Sequence, residues 1–146
     1  MKIYLDNCAL QRPLDDKSQI RIRLEAEAIL AIVEQCQSGE IELVSSEVLE
    51  LELSETPIKT RVDYGCSILE SAPDYIEIDA LIESRAGAFV LLGIKPLDAL
   101  HLASAEVAQV DYFCTCDDRF LRRAKTIADL KTKVVTPLEL IEELSD

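Results

Sequence analysis

The chain has 146 residues, 49% of them hydrophobic and 29% charged, which is the size and mix of one domain able to bury its own core. No run of about 18 apolar residues is present to span a bilayer, and no basic-then-apolar leader opens the chain, so a cytoplasmic protein with no membrane role is expected. A formal charge of −13 repels nucleic acid, so any work on that polymer needs a local device: a metal held by carboxylates, or a basic cluster.

The opening MKIYLDNCAL alternates Met1, Ile3 and Leu5 and predicts a short strand ending in Asp6, with Tyr4 on its opposite side and also in the core. Pro13, Asp15 and Asp16 mark a loop. The next stretch, SQIRIRLEAEAILAIVEQCQSG, sets apolar residues at 20, 24, 28 and 32, the spacing of a helix, and Gly39 closes it. IELVS predicts a second strand, and SEVLELELSE a short helix that stops near Pro57. Residues 58–71 predict another helix with Ile58, Val62, Cys66 and Leu69 on one side.

The alternation then repeats. YIEID predicts a strand, residues 80–92 a helix ending at Gly93, and KPLDALHLASAEVAQ a helix with Pro96 at its first position, where a missing N–H costs nothing. DYFCTC predicts a strand, Phe120 to Lys125 a short helix, KVVT a strand, and the residues after Pro137 a last helix. Strands separated by helices need long crossovers and therefore a parallel sheet. The fold class is α/β, a single domain over residues 1–146 with a central parallel sheet between helical layers, α/β/α.

Five cysteines, at 8, 36, 66, 114 and 116, form no paired framework and are expected as reduced, buried thiols. With one histidine in the chain, the C-x-C pair of Cys114 and Cys116 lacks the partners of a zinc site.

In open parallel sheets, sites form beyond the carboxyl ends of the strands. Asp6 ends the first strand, Asp117 comes just past YFCTC, and Asp98 lies in the first turn of the helix begun by Pro96. All three fall on one rim. Helix N-termini favour ionised carboxylates, so Asp98 and Asp117 are expected to stay charged near one another, and a divalent cation offsets the repulsion. Oxygen donors suit Mg2+ or Mn2+. A fourth acid comes from the Glu47, Glu50, Glu52 and Glu55 series; Glu50 and Glu52 lie about 200° apart on a helix, so only one of them faces the rim.

Taken singly, Asp98 and Asp117 fit helix capping as well as chemistry. Asp6, ending a buried strand beside Asn7, fits a purely structural role less well. His101, three residues after Asp98, reads as a packed core residue rather than a catalytic one. The basic groups Arg12, Arg21 and Arg23, and Arg119, Arg122, Arg123 and Lys125, read mostly as solvated helix faces.

These residues resemble the PIN domain, a family of metal-dependent nucleases that includes the toxic ribonucleases of bacterial toxin–antitoxin pairs. IYLDNCAL resembles its opening strand, LVSSEVLELEL its second strand and acidic helix, IKPLDALHLASA its central acidic motif and YFCTCDDRFL its T-x-D motif. The order and spacing span essentially the whole chain. The resemblance implies that Asp6, Glu52, Asp98 and Asp117 are catalytic, with Glu50 the alternative to Glu52 should the helix be shifted. Asp6, Asp98 and Asp117 would bind Mg2+ or Mn2+, Glu52 would orient or deprotonate a water, and Asn7 and Thr115 would hold the carboxylates. Arg119 departs from the family where relatives often carry an acid, and Asp118 is its possible substitute.

The resemblance further implies cleavage of RNA phosphodiesters by the toxin of a toxin–antitoxin pair, restrained by an antitoxin protein. The alternative is a PIN-fold interaction module of weak catalysis that binds a protein partner. A phosphoacceptor signalling domain shares the fold class but needs a lysine after a late strand, which YFCTCDD does not offer. The long apolar helical faces are compatible with a homodimer.

Overall fold

Five short apolar runs pair side by side as one parallel sheet in the computed structural model, which describes residues 1–145. The strands are β1 (Lys2–Leu5), β2 (Glu42–Ser46), β3 (Asp74–Ile76), β4 (Tyr112–Cys114) and β5 (Lys133–Val135), in the order β3-β2-β1-β4-β5. Ile3 pairs with Leu43 on one side of β1 and with Tyr112 on the other, so the first strand of the chain is the middle of the sheet. Ile3, Tyr4 and Leu5 are fully buried, as a central strand covered on both faces requires.

Eight α-helices are described: α1 (Asn7–Leu10), α2 (Ile20–Gln37), α3 (Glu47–Ser54), α4 (Lys59–Leu69), α5 (Ala80–Leu91), α6 (Pro96–Val107), α7 (Asp118–Lys125) and α8 (Pro137–Leu144). Helices flank the sheet in the expected three-layer α/β/α arrangement, with α2 against α8 and α5 against α6. The chain leaves β1 toward β2 and leaves β4 toward β5, in opposite directions. The loops after these two adjacent strands therefore diverge and open a crevice at their carboxyl ends.

Several boundaries differ from the sequence expectation for local reasons. Asp6 lies just past β1 and caps α1, accepting from Ala9 N at 3.0 Å, so the expected loop after the strand begins with a helical turn and a 3-10 turn at Arg12–Leu14. Asp117 likewise caps α7, which starts at Asp118 rather than near Phe120. On α4, Leu69 of the predicted stripe is buried and Val62 partly so, but Ile58 and Cys66 are exposed, and Gly65 and Ile68 complete the buried face. Gly65 allows this: a Cβ there would fall 2.9 Å from both Gln11 Nε2 and Leu53 Cδ2, so α4 meets the end of α1 and the flank of α3 on the glycine. On α2 the predicted stripe is buried only from Ala28 onward, with Ile20 and Leu24 exposed.

The core behind the crevice is aromatic. Tyr4 stacks on Phe113 with ring centroids 5.1 Å apart, and Phe113 meets Phe120 at 5.4 Å. All five cysteines are free; Cys114 and Cys116 are buried as expected, whereas Cys8 in the first turn of α1 and Cys66 on the outer side of α4 are exposed. Among the described residues, no helix is long and apolar enough to cross a membrane.

Candidate active site

Two strand ends each deliver one aspartate into the crevice. Asp6 follows β1, and its Oδ1 accepts from Ala9 N and from the Cys8 thiol, both at 3.0 Å. Its residue surface is only 5% exposed, and burial, then the neighbouring Cys8, push its carboxyl well above the usual range, against the opposing pull of Thr115. Asp117 follows β4. Its Oδ1 accepts from Arg119 N at 3.0 Å and Phe120 N at 3.1 Å, so one oxygen holds the helix. Thr115, fully buried, accepts from Asp117 N at 3.1 Å and lies 3.5 Å from Cys8 Sγ, which ties the two strand ends together.

Two helices supply the other acids. Asp98 stands in the first turn of α6, half-buried. Burial pushes its carboxyl up, and the charges of Asp117 and Glu52 add to that, while the charge of Lys95 opposes it. Glu52 projects from α3, where Oε1 is 2.7 Å from His101 Nε2 and Oε2 takes a long 3.4 Å hydrogen bond from Asn7 Nδ2. Asn7, the first residue of α1, thereby links the Asp6 turn to Glu52. No Lys or Arg side chain makes an ion pair with Asp6, Glu52, Asp98 or Asp117 among the described residues, and Glu52 has His101 alone.

The remaining candidates sit elsewhere. Glu50 lies on the β3 side of α3, lining a surface recess with Glu47, Tyr75 and Glu77, and the Tyr75 phenol is pushed up to about 12 by burial and by a hydrogen bond to Glu50. The helical spacing that separates the two glutamates thus sends Glu52, not Glu50, toward Asp98. Asp118 turns away to α2, where both its oxygens take 2.6 Å bonds from Arg21, whose guanidinium holds its carboxyl below the usual range.

His101 is buried and satisfied, as a core residue is expected to be, yet it also joins the site. Its Nδ1 lies 2.6 Å from Tyr4 Oη, which is 2.7 Å from Ser46 Oγ. Sequence separations of 97 and 42 residues hide this chain of contacts from any local pattern.

A basic lip borders the acids. Lys95, Arg119 and Arg123 line one narrow recess with Asp98 and Asp117, and none of the three has an acidic partner among the described residues. Arg123 folds over Gly93, whose φ of +96° ends α5; a Cβ on Gly93 would fall 2.5 Å from Arg123 Nη1.

The donor set matches a hard divalent cation in kind, being all carboxylate oxygen, with Asp6 buried and unpaired and Asn7 Oδ1 buried without a hydrogen-bond partner. Among the described residues no three His, Cys, Asp or Glu side chains stand close enough together to hold a metal ion by themselves. The oxygen donors would suit Mg2+ or Mn2+, which keep waters and take further oxygens from phosphate.

Residues 3–126 match the family described as PIN domain. By sequence, Ribonuclease VapC35 of Mycobacterium tuberculosis, from two strains, is 31% identical over 133 residues, which span 86% of this chain and 92% of that protein. By structure, the crystal structure of VapBC2 from Rickettsia felis bound to a DNA fragment from their promoter aligns with a TM-score of 0.63 and 14% identity. That alignment covers 93% of this chain and 98% of the matched chain, and it speaks to the fold.

Proposed function

The chain belongs to the PIN domain family, and on that premise we propose that it is a metal-dependent endoribonuclease acting as the toxin of a toxin–antitoxin pair. The observation that carries the reading is that Asp98 and Asp117 line one recess, with the charge of Glu52 acting on Asp98 and no Lys or Arg side chain in an ion pair with any of the three among the described residues. Asp6 caps α1 but has no cationic partner among the described residues, and a buried carboxylate so placed supports a cation beside it. A ribonuclease among the relatives supports the substrate class.

In this reading Asp6, Asp98 and Asp117 hold Mg2+ or Mn2+, which when bound makes a water more acidic and offsets the charge that builds on phosphorus. Glu52 orients the attacking water and takes its proton, and Asn7 and His101 fix that carboxylate. Thr115 holds Asp117 and steadies Asp6. Lys95, Arg119 and Arg123 receive the phosphates flanking the scissile bond, which answers how a chain of charge −13 engages RNA. A single domain over residues 1–146, a cytoplasmic location, a homodimer and an antitoxin protein as partner complete the proposal; the kinship with a VapBC complex supports the last of these.

Labelled RNA incubated with Mn2+, with chelator, and with the Asp6→Asn and Asp98→Asn variants tests it. Cleavage is expected with Mn2+ alone and is expected to vanish in both variants while their folded signal is kept. Cleavage that survives either substitution rejects the assignment. No cleavage by the wild type, together with tight binding of a protein partner, selects the interaction module, the reading that Arg119 in place of an acid favours.

A further inference from the structure

We propose that Tyr4 and His101 are positioning residues for the cleavage reaction: a buried hydrogen-bond chain, Ser46–Tyr4–His101–Glu52, clamps the Glu52 carboxylate at the acidic rim. This rests on the reading of Glu52 as the group that manages the attacking water, and adds the machinery that holds it.

The chain crosses four elements. Ser46 ends β2 and caps α3, Tyr4 lies in β1, His101 in α6 and Glu52 in α3. Successive contacts are 2.7, 2.6 and 2.7 Å. Tyr4 and Ser46 are fully buried and His101 is 2% exposed, whereas the Glu52 side chain is 27% exposed, so a path through the core surfaces at the site. A core alone has no use for these polar atoms: Phe would stack on Phe113 as Tyr4 does, and an aliphatic residue would fill the place of His101 without desolvating an imidazole.

One arrangement of protons satisfies every member. Ser46 Oγ already accepts from Leu49 N at 3.1 Å, so its own proton goes to Tyr4 Oη. Tyr4, kept a phenol by burial, then donates to His101 Nδ1. With Nδ1 accepting, the imidazole carries its proton on Nε2 and donates to Glu52 Oε1. Reversing the direction leaves the Ser46 hydroxyl without an acceptor among the described residues. Oε1 is thus committed, and Oε2, touched only by the long Asn7 contact, is the oxygen left to the water. Groups that orient an active carboxylate or ligand in this way typically matter by about 10–100-fold.

Because His101 is the one histidine in the chain, its imidazole nitrogens give a single set of signals in a 15N-labelled sample. A neutral ring protonated at Nε2 is expected in the wild type, and loss of that single tautomer in Tyr4→Phe. Cleavage of RNA in Mn2+ is then compared for His101→Gln, whose amide N–H reaches the Nε2 position, and His101→Asn, whose amide does not. His101→Asn is expected to lower kcat by about 10–100-fold with KM within about two-fold, and His101→Gln to recover most of the loss. Tyr4→Phe should lose less than His101→Asn. Should His101→Asn fail to fold, Tyr4→Phe and the tautomer decide. A ring protonated at Nδ1 alone, or His101→Asn or Tyr4→Phe as fast as the wild type, overturns the positioning role. A wild type that cleaves no RNA overturns the nuclease reading instead.

Discussion

Asp98 and Asp117 line one recess, and the Asp98 carboxyl is pushed above its ordinary range by burial and then by the charge of Asp117. Asp6 is pushed the same way, chiefly by burial. A carboxyl that is harder to ionise in the folded chain than in the unfolded one holds more protons when folded, so metal-free stability falls as pH rises from the ordinary carboxylate range through the raised one. The metal-free protein is expected to melt higher at pH 5 than at pH 7. Asp98→Asn, which cannot ionise, should flatten that slope and raise the pH 7 melting temperature by about 2–4 °C. Calorimetric scans across pH in chelator measure both.

Divalent cations should reverse the penalty. If Asp6 and Asp98 share a cation, Mn2+ at about 100 times its Kd stabilises the wild type by about 2.7 kcal/mol. Asp98→Asn should then gain little from Mn2+ although it starts more stable. Thermal melts with and without Mn2+ check this, and an equal upshift in wild type and variant would place the cation elsewhere.

Asp117 caps a helix and has a proposed part in cleavage, and substitution separates the two. Its Oδ1 caps α7 through Arg119 N and Phe120 N, and asparagine caps as well as aspartate. Asp117→Asn should therefore keep the stability and lose cleavage. Asp117→Ala should lose both, with about 0.5–2 kcal/mol taken from the fold, measured by denaturant titration.

Helical geometry makes a sharper contrast on α3. Glu52→Gln is expected to cut cleavage by about 100-fold or more, the range for a positioned general base, whereas Glu50→Gln, beside Tyr75 and away from Asp98, should leave the rate within about two-fold. Single-turnover rates on one RNA settle it. Spacing in the sequence already required that one of the pair face away, and left open which. The sheet, its parallel sense and the placing of Asp6 and Asp117 just past strand ends were legible because apolar periodicity and strand ends are local signals. The long-range pairings were not. His101 and Tyr4 are 97 residues apart, and an apolar setting such as ALHLASA reads as packing whether or not the imidazole bridges to an acid. On α4 the stripe includes the buried Leu69 but not Gly65, which has no side chain to count in it.

The basic residues of α7 are exposed, as expected, and among them Arg119 is placed differently from the rest. It sits in the first turn of α7, where a positive charge opposes the helix dipole and costs roughly 0.3–1 kcal/mol. Arg122 and Arg123, in the last turn, complement the dipole, so only Arg119 is placed against the interest of its own helix. It has no acidic partner among the described residues and lines the recess of Asp98 and Asp117, which supports the proposed contact with an RNA phosphate. Arg119→Gln should leave the melting temperature unchanged or slightly raised. The same variant should raise KM for RNA with little change in kcat, as loss of a contact made equally before and during the reaction does. The dependence of log KM on log salt should become shallower by about 0.7 for each phosphate contact removed from a single strand, and by twice that in Arg119→Gln/Arg123→Gln. A salt slope equal to that of the wild type would return both arginines to the solvated surface.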